Sequence, residues 1–214
     1  KDSGVDWIGD IPKNWDIFSM KFCSDITRGK FTHRPRNDPD YYDGNYPFIQ
    51  TGDISRSGKF LTSYNQTLNE KGFSVSKEFP IGTLIMGISA NIGDVSILKI
   101  VSCFPDSIVG FEPKENWNSE FLYYLFSSMK DEFERNSIVS TQLNLNVDRL
   151  GDIKIPKVPL KEQVKIVEIL DKKVENYNLL IIKENKKINL LSEYRQSLIS
   201  SVVTGKIRIK EDMI

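Results

Sequence analysis

The chain has 214 residues, enough to bury a core without disulfides or metals, and with 39% hydrophobic and 27% charged residues it is a folded, water-facing protein, not a disordered one. Lys plus Arg is 29 and Asp plus Glu is 29, so no whole-molecule field announces a polyanionic partner, though a local basic patch remains open. Two isolated cysteines, Cys23 and Cys103, and a single histidine, His33, exclude a disulfide framework, a zinc site and most His-dependent triads; the lack of a long apolar run or a signal peptide points to a cytosolic protein without membrane contact.

The first 150 residues read as short strands separated by turns. Strands are predicted at 17–23, 46–51, 83–88, 94–98 and 107–111, with turns at Gly44-Asn45, Ser57-Gly58 and Ile92-Gly93-Asp94. One helix follows, capped by Asn118 or Ser119, with Phe121, Leu122, Leu125, Phe126, Met129 and Phe133 on one face. The composition changes near residue 156. Residues 161–204 contain neither Gly nor Pro, Pro159 stands just before a first helical turn, and Gly205 suits a C-terminal stop. The expected fold class is therefore α+β: a globular domain of short mixed or antiparallel strands and a few helices over 1–156, one long helix over 157–206, and a tail at 207–214.

In the long helix a seam alternates three and four residues: Val167, Leu170, Val174, Tyr177, Ile181, Glu184, Ile188, Leu191, Arg195, Leu198 and Val202. Nine of these eleven are apolar, which argues for a coiled coil. No other helix in the chain matches its length, so the expected partner is another copy or another subunit. Glu184 and Arg195 interrupt the seam. Either they reach to solvent, or they pair across an antiparallel interface and set its register.

Chemistry-bearing motifs are few. Asp38-Pro39-Asp40-Tyr41 resembles an amino-methyltransferase signature, but its third position is wrong and no Gly-rich cofactor loop precedes it, so it reads as a turn. Gly87-Ile88-Ser89-Ala90-Asn91 lacks the final Gly of a nucleophile elbow. The stretch from Thr27 to Asn37 carries Arg28, Lys30, Arg34 and Arg36 without an acid, whereas residues 1–150 as a whole hold 16 basic and 20 acidic residues. A concentrated basic loop on an acidic domain is either a solvated surface loop or an anion contact such as a phosphate backbone. Two amide-rich stretches accompany it, 50–56 and 141–146. Gln and Asn pair bidentately with adenine and Arg with guanine, although turn and cap chemistry uses the same residues.

The chain resembles the specificity subunit of type I restriction–modification systems. Five blocks carry the resemblance: Trp7-Ile8-Gly9-Asp10-Ile11-Pro12-Lys13-Asn14-Trp15; Phe48-Ile49-Gln50-Thr51-Gly52-Asp53-Ile54; Ala90-Asn91-Ile92-Gly93; Ile155-Pro156-Lys157-Val158-Pro159-Leu160-Lys161-Glu162-Gln163; and the stretch 190–207, ending Val203-Thr204-Gly205-Lys206-Ile207. The resemblance implies one target recognition domain and one conserved spacer helix, half of what a complete member carries. The chain is then a half subunit that dimerises, or one half of a longer protein. It further implies a non-catalytic subunit that binds double-stranded DNA, reads half of a bipartite target, and directs adenine methylation and cleavage by modification and restriction subunits, with no cofactor of its own. On that footing Arg28, Lys30, Arg34 and Arg36 position the duplex, and Gln50, Arg56, Asn91, Gln142 and Asn144 are candidates for base-edge or groove contacts. Two other readings stand beside it: a coiled-coil adaptor that never touches DNA, and a small nuclease or methyltransferase.

Overall fold

The structure, a computed structural model, describes residues 1–89, 91–137 and 147–207. It divides into two compact units, Lys1–Val167 and Glu168–Ile214. The first, here called the head, opens with β1 (Asp16–Ser19), a 3-10 turn at Met20–Phe22 and β2 (Ser24–Arg28). A second 3-10 turn, Pro39–Tyr41, leads into β3 (Tyr42–Pro47), α1 (Thr51–Arg56), β4 (Phe60–Leu61), β5 (Thr67–Leu68), α2 (Glu70–Ser74) and β6 (Glu78–Phe79). Then come β7 (Leu84–Gly87), β8 (Val95–Leu98), β9 (Ser102–Cys103), β10 (Ile108–Pro113), α3 (Ser119–Ser128), α4 (Lys130–Ser137), α5 (Val147–Asp152) and β11 (Lys154–Lys157). The last element is α6 (Leu160–Val203).

The α+β expectation holds. A five-stranded sheet runs in the order β2-β10-β7-β8-β4, antiparallel except for the parallel β4–β8 pair. Three two-stranded ladders, β1–β11, β3–β5 and β6–β9, surround it. Alternation along the strands loads both faces of the main sheet. Leu84, Met86, Ile97, Val109 and Phe111 meet Leu122 and Phe126 of α3 and Phe133 of α4 in the larger core. Ile85, Leu98 and Ile108 point the other way, against Ile49, Ile54, Phe79 and Phe104. Phe79 and Phe104 stack at 3.9 Å, worth about 0.5–1.5 kcal/mol beyond burial. A Cβ on Gly110 would stand 3.1 Å from both rings, a tight contact that the bare glycine avoids.

Several local expectations need correction. The strand predicted at 17–23 stops at Ser19, where the Met20 carbonyl accepts the Cys23 N–H at 2.9 Å and closes a 3-10 turn that buries the Met20 side chain. Gly44-Asn45 is no hairpin turn; it lies in β3, at an irregularity where Tyr42 and Tyr46 both oppose Leu68. The stretch from Thr51 is helical, because the Asp53 carboxylate accepts the Gln50 N–H at 2.9 Å and stabilises the start of α1. The single helix predicted after Asn118 is two, interrupted at Met129, with its apolar face still buried at Phe121, Leu122, Phe126, Met129 and Phe133.

The 44 residues of α6 correspond to about 66 Å of helix. Its first turns belong to the head: Gln163 is fully buried and Val167 lies in the larger core. At its other end Gly205 takes φ 72°, and its N–H reaches the Val202 carbonyl at 3.1 Å, the left-handed stop that the glycine predicts. No described helix is long and apolar enough to cross a membrane.

Candidate functional site

The basic loop leaves the sheet at the end of β2, where Arg28 sits opposite Val109. The stretch itself has no acid, but the fold supplies one. Asp106, from the turn before β10, receives Arg34 Nη2 on Oδ2 at 3.4 Å and Arg36 Nη2 on Oδ1, while its carbonyl accepts Arg28 Nε at 2.6 Å. Arg34 is further fixed by the carbonyls of Phe31 and His33, both 2.7 Å from Nη1. Three of the four predicted cations thus gather on one residue. The fourth, Lys30, is exposed and held through its backbone, its N–H donating to Phe104 and its carbonyl accepting from Ser76 Oγ. At Asp106 itself, three guanidinium groups meet a residue with one carboxylate.

The loop returns through His33, stacked on Tyr41 at 3.8 Å and bonded to Asp38 at 2.9 Å. The Asp38-Pro39-Asp40-Tyr41 stretch is the turn expected: Asp38 Oδ1 accepts the Asp40 N–H, which holds the Asp38 carboxyl below its ordinary range.

Gln50 joins this surface. A cavity of about 260 Å3 is lined by Arg36, Asn37, Tyr42, Gln50 and Gln66 over buried Phe31 and Phe48. Gln50 Nε2 donates to Gln66 Oε1 at 2.8 Å across it. Arg56 closes α1 and is tied to Asp53 at 2.7 Å. Asn91 is exposed and holds a turn of the head. With φ 53° it turns the β7–β8 connection, and its Nδ2 donates to Ser55 Oγ at 2.9 Å. Ser55 in turn donates to Asp94, which Lys130 also meets at 2.7 Å. Burial alone would raise the Asp94 carboxyl, yet these two hydrogen bonds hold it below its ordinary value. Gln142 and Asn144 lie outside the described residues.

The structure therefore brings Arg28, Arg34, Arg36 and Gln50 to one surface, while Asn91, itself exposed, is bonded to Ser55. Sequence reading missed Asp106, Gln66 and Asp53. Of these only Asp53 carried a local signal, an acid three residues past the helix-opening Gln50. The others become neighbours through the sheet. Among the described residues no group of three or more His, Cys, Asp or Glu is placed to hold a metal ion.

On α6 the seam beyond the head is exposed, with Val174 at 44%, Ile181 and Ile188 at 57% and Leu191 at 58%. Tyr177 and Leu198 are exposed as well, and Val202 and Leu170 are half-buried. Glu184 pairs with Lys187 at 3.7 Å along the helix, and Arg195 is exposed without an ion pair among the described residues.

Residues 12–191 match the family described as the type I restriction modification DNA specificity domain. The chain belongs to that family. It is similar to the specificity subunit of the type I restriction enzyme MjaIX from Methanocaldococcus jannaschii, 29% identical over 191 residues that cover 87% of this chain and 43% of that protein. The specificity subunit of EcoprrI from Escherichia coli is 24% identical over 140 residues, covering 60% of this chain and 35% of its own. Among solved structures, a chain from work on complex assembly and conformational transition of the type I R-M system superposes with a TM-score of 0.75 at 19% identity, covering 90% of this chain and 46% of that one. The HsdS subunit from Thermoanaerobacter tengcongensis gives 0.63 at 19% identity, covering 78% and 39%. At such identities these superpositions speak for the fold alone. This specificity-domain chain spans about half the length of the curated relatives it matches.

The structure joins two blocks that lie far apart in the sequence. Trp15 Nε1 and Asn14 Nδ2 donate to the two carboxylate oxygens of Glu162 at 2.8 and 2.9 Å, so the opening block clamps the first turn of α6. Next to it, Gln163 Oε1 accepts the Asn118 N–H at 2.8 Å, while its Nε2 donates to the carbonyls of Asn116 and Val158. Fully buried, that amide satisfies three backbone groups at once.

Proposed function

We propose that this chain is the DNA-reading element of a type I restriction–modification complex, recognising one half of a bipartite double-stranded target. As a specificity subunit it is the non-catalytic member, and modification and restriction subunits carry out methylation and cleavage. The observation that carries the reading is the convergence of Arg28, Arg34 and Arg36 beside the cavity lined by Gln50 and Gln66. Phosphate contacts orient a duplex and amide or guanidinium groups read base edges, and here the two kinds of group share one surface. A bare protein adaptor has no use for that arrangement.

The exposed seam from Val174 to Leu198 belongs to the same proposal. Its apolar residues find cover in a second long helix, from another copy or from the other half of a longer subunit. Two heads joined by such a pairing would read two half-sites and leave the base pairs between them unread. The near-neutral total charge fits a reader that relies on its partners for much of the phosphate neutralisation.

The test is the methylation pattern of host DNA with and without the chain. A split motif that disappears on deletion is the expected result, symmetric if two copies pair. Methylation that persists unchanged would reject the proposal.

A further inference from the structure

The head contains a buried carboxylate whose bonding exceeds what its helix requires. Asp53 is 5% exposed. Its Oδ2 accepts the Gln50 N–H at 2.9 Å, which suffices for the start of α1. Its Oδ1 accepts two further hydrogen bonds, from Arg56 Nη2 and Asn65 Nδ2, both at 2.7 Å. Both partners face solvent: Arg56 keeps 65% of its side-chain surface exposed, and Asn65 is exposed in the β4–β5 connection. Burying a charge is costly unless it is paired, and here the pairing serves two surface side chains from different segments. Gly52 completes the seat. An added Cβ there would stand 3.2 Å from Arg56 Nη1, so the guanidinium lies across the bare Cα.

Each of the two side chains uses one hydrogen bond on Asp53 and keeps others. Among the described residues, Arg56 Nη1 and Asn65 Oδ1 make no hydrogen bond. A guanidinium fork complements guanine O6 and N7, and a carboxamide with one acceptor and one remaining donor complements adenine N6 and N7. Because the carboxylate already orders both groups, less rotamer freedom is lost when a base edge arrives. These are the properties of side chains prepared for an edge-on ligand, whereas a cap alone leaves Arg56 and Asn65 unexplained.

We propose that Arg56 and Asn65 are base-reading residues of the head, and that Asp53 is the positioning residue that presents them. The proposal rests on the DNA-reading function above and names the residues that give it sequence preference.

The test replaces the chain in its host with variants, reads the genomic methylation motif, and measures mismatch discrimination by the assembled complex. Arg56→Ala and Asn65→Ala should each relax one base position of the motif, with discrimination falling about 10-fold or more. Arg56→Lys keeps the charge but not the fork, so it should retain affinity and lose discrimination. Asp53→Asn should relax both positions together, and the two exposed alanine variants carry the test if that protein folds poorly. An unchanged motif and unchanged discrimination in the Arg56 and Asn65 variants would overturn the assignment while leaving the DNA-reading proposal intact. A wild-type chain whose deletion leaves host methylation unaltered would overturn that proposal itself.

Discussion

Gln163→Leu should destabilise the head by about 3 kcal/mol although it changes little volume and no charge. The amide is fully buried and makes three hydrogen bonds: from the Asn118 N–H at 2.8 Å, to the Val158 carbonyl at 2.8 Å and to the Asn116 carbonyl at 3.1 Å. Leucine fills the space but leaves one backbone donor and two carbonyls without these partners. Each such group costs about 1 kcal/mol, the donor more than the carbonyls, which have a second lone pair. Urea unfolding of the full chain, followed by the fluorescence of Trp7, Trp15 and Trp117, reports this directly because all three lie in the head. With a slope of about 2 kcal/mol per M, the midpoint should fall by about 1.5 M with the slope unchanged. A shift equivalent to less than about 1 kcal/mol would refute the view that this amide ties the start of α6 to the cap of α3.

Ile188→Asp, at a seam residue 57% exposed, should weaken self-association by about 100-fold or more, since a paired helix buries the change twice; sedimentation equilibrium measures it, with helix content by circular dichroism as the control. Arg34→Ala and Arg36→Ala should each lower the salt slope of DNA binding by the assembled complex by about one, while Asp106→Asn, which removes the shared carboxylate, should steepen it; titration at several salt concentrations decides. Burial pushes the Cys23 thiol up from 9.0 to about 11, so the folded head holds a proton that the unfolded chain releases first. That contribution is complete below about pH 9 and is lost as pH rises through about 11, about 2–3 kcal/mol in all. Cys23→Ala should remove this part of the alkaline loss in denaturation curves at about pH 8 and about pH 11.

Much of the fold was legible because its signals are local. Short apolar runs bounded by turn residues marked β7, β8 and β10, the Phe121-to-Phe133 stripe marked the helical face, and Pro159 with Gly205 bracketed α6. The cationic loop was visible in the same way, as four like charges in eleven residues. Less legible were places where packing against distant residues competed with the local preference. Met20 is drawn into the larger core at a 3-10 turn where a strand was expected, and Val167, which opens the heptad pattern, packs into the head.

The sequence by itself determined that a strand-rich α+β head precedes one long seamed helix, because periodicity, glycine and proline act over a few neighbouring residues. Only the tertiary structure decided which charges matter. Asp106 lies 70 positions from Arg36 and Glu162 lies 147 from Trp15, yet each pair is in contact. Asp53, an ordinary helix-opening acid in the sequence, organises two surface side chains once β4 and β5 bring Asn65 beside α1. A carboxylate acquires its role from whichever donors the folded chain places within hydrogen-bonding distance, and the packed sheet sets those distances where sequence spacing does not.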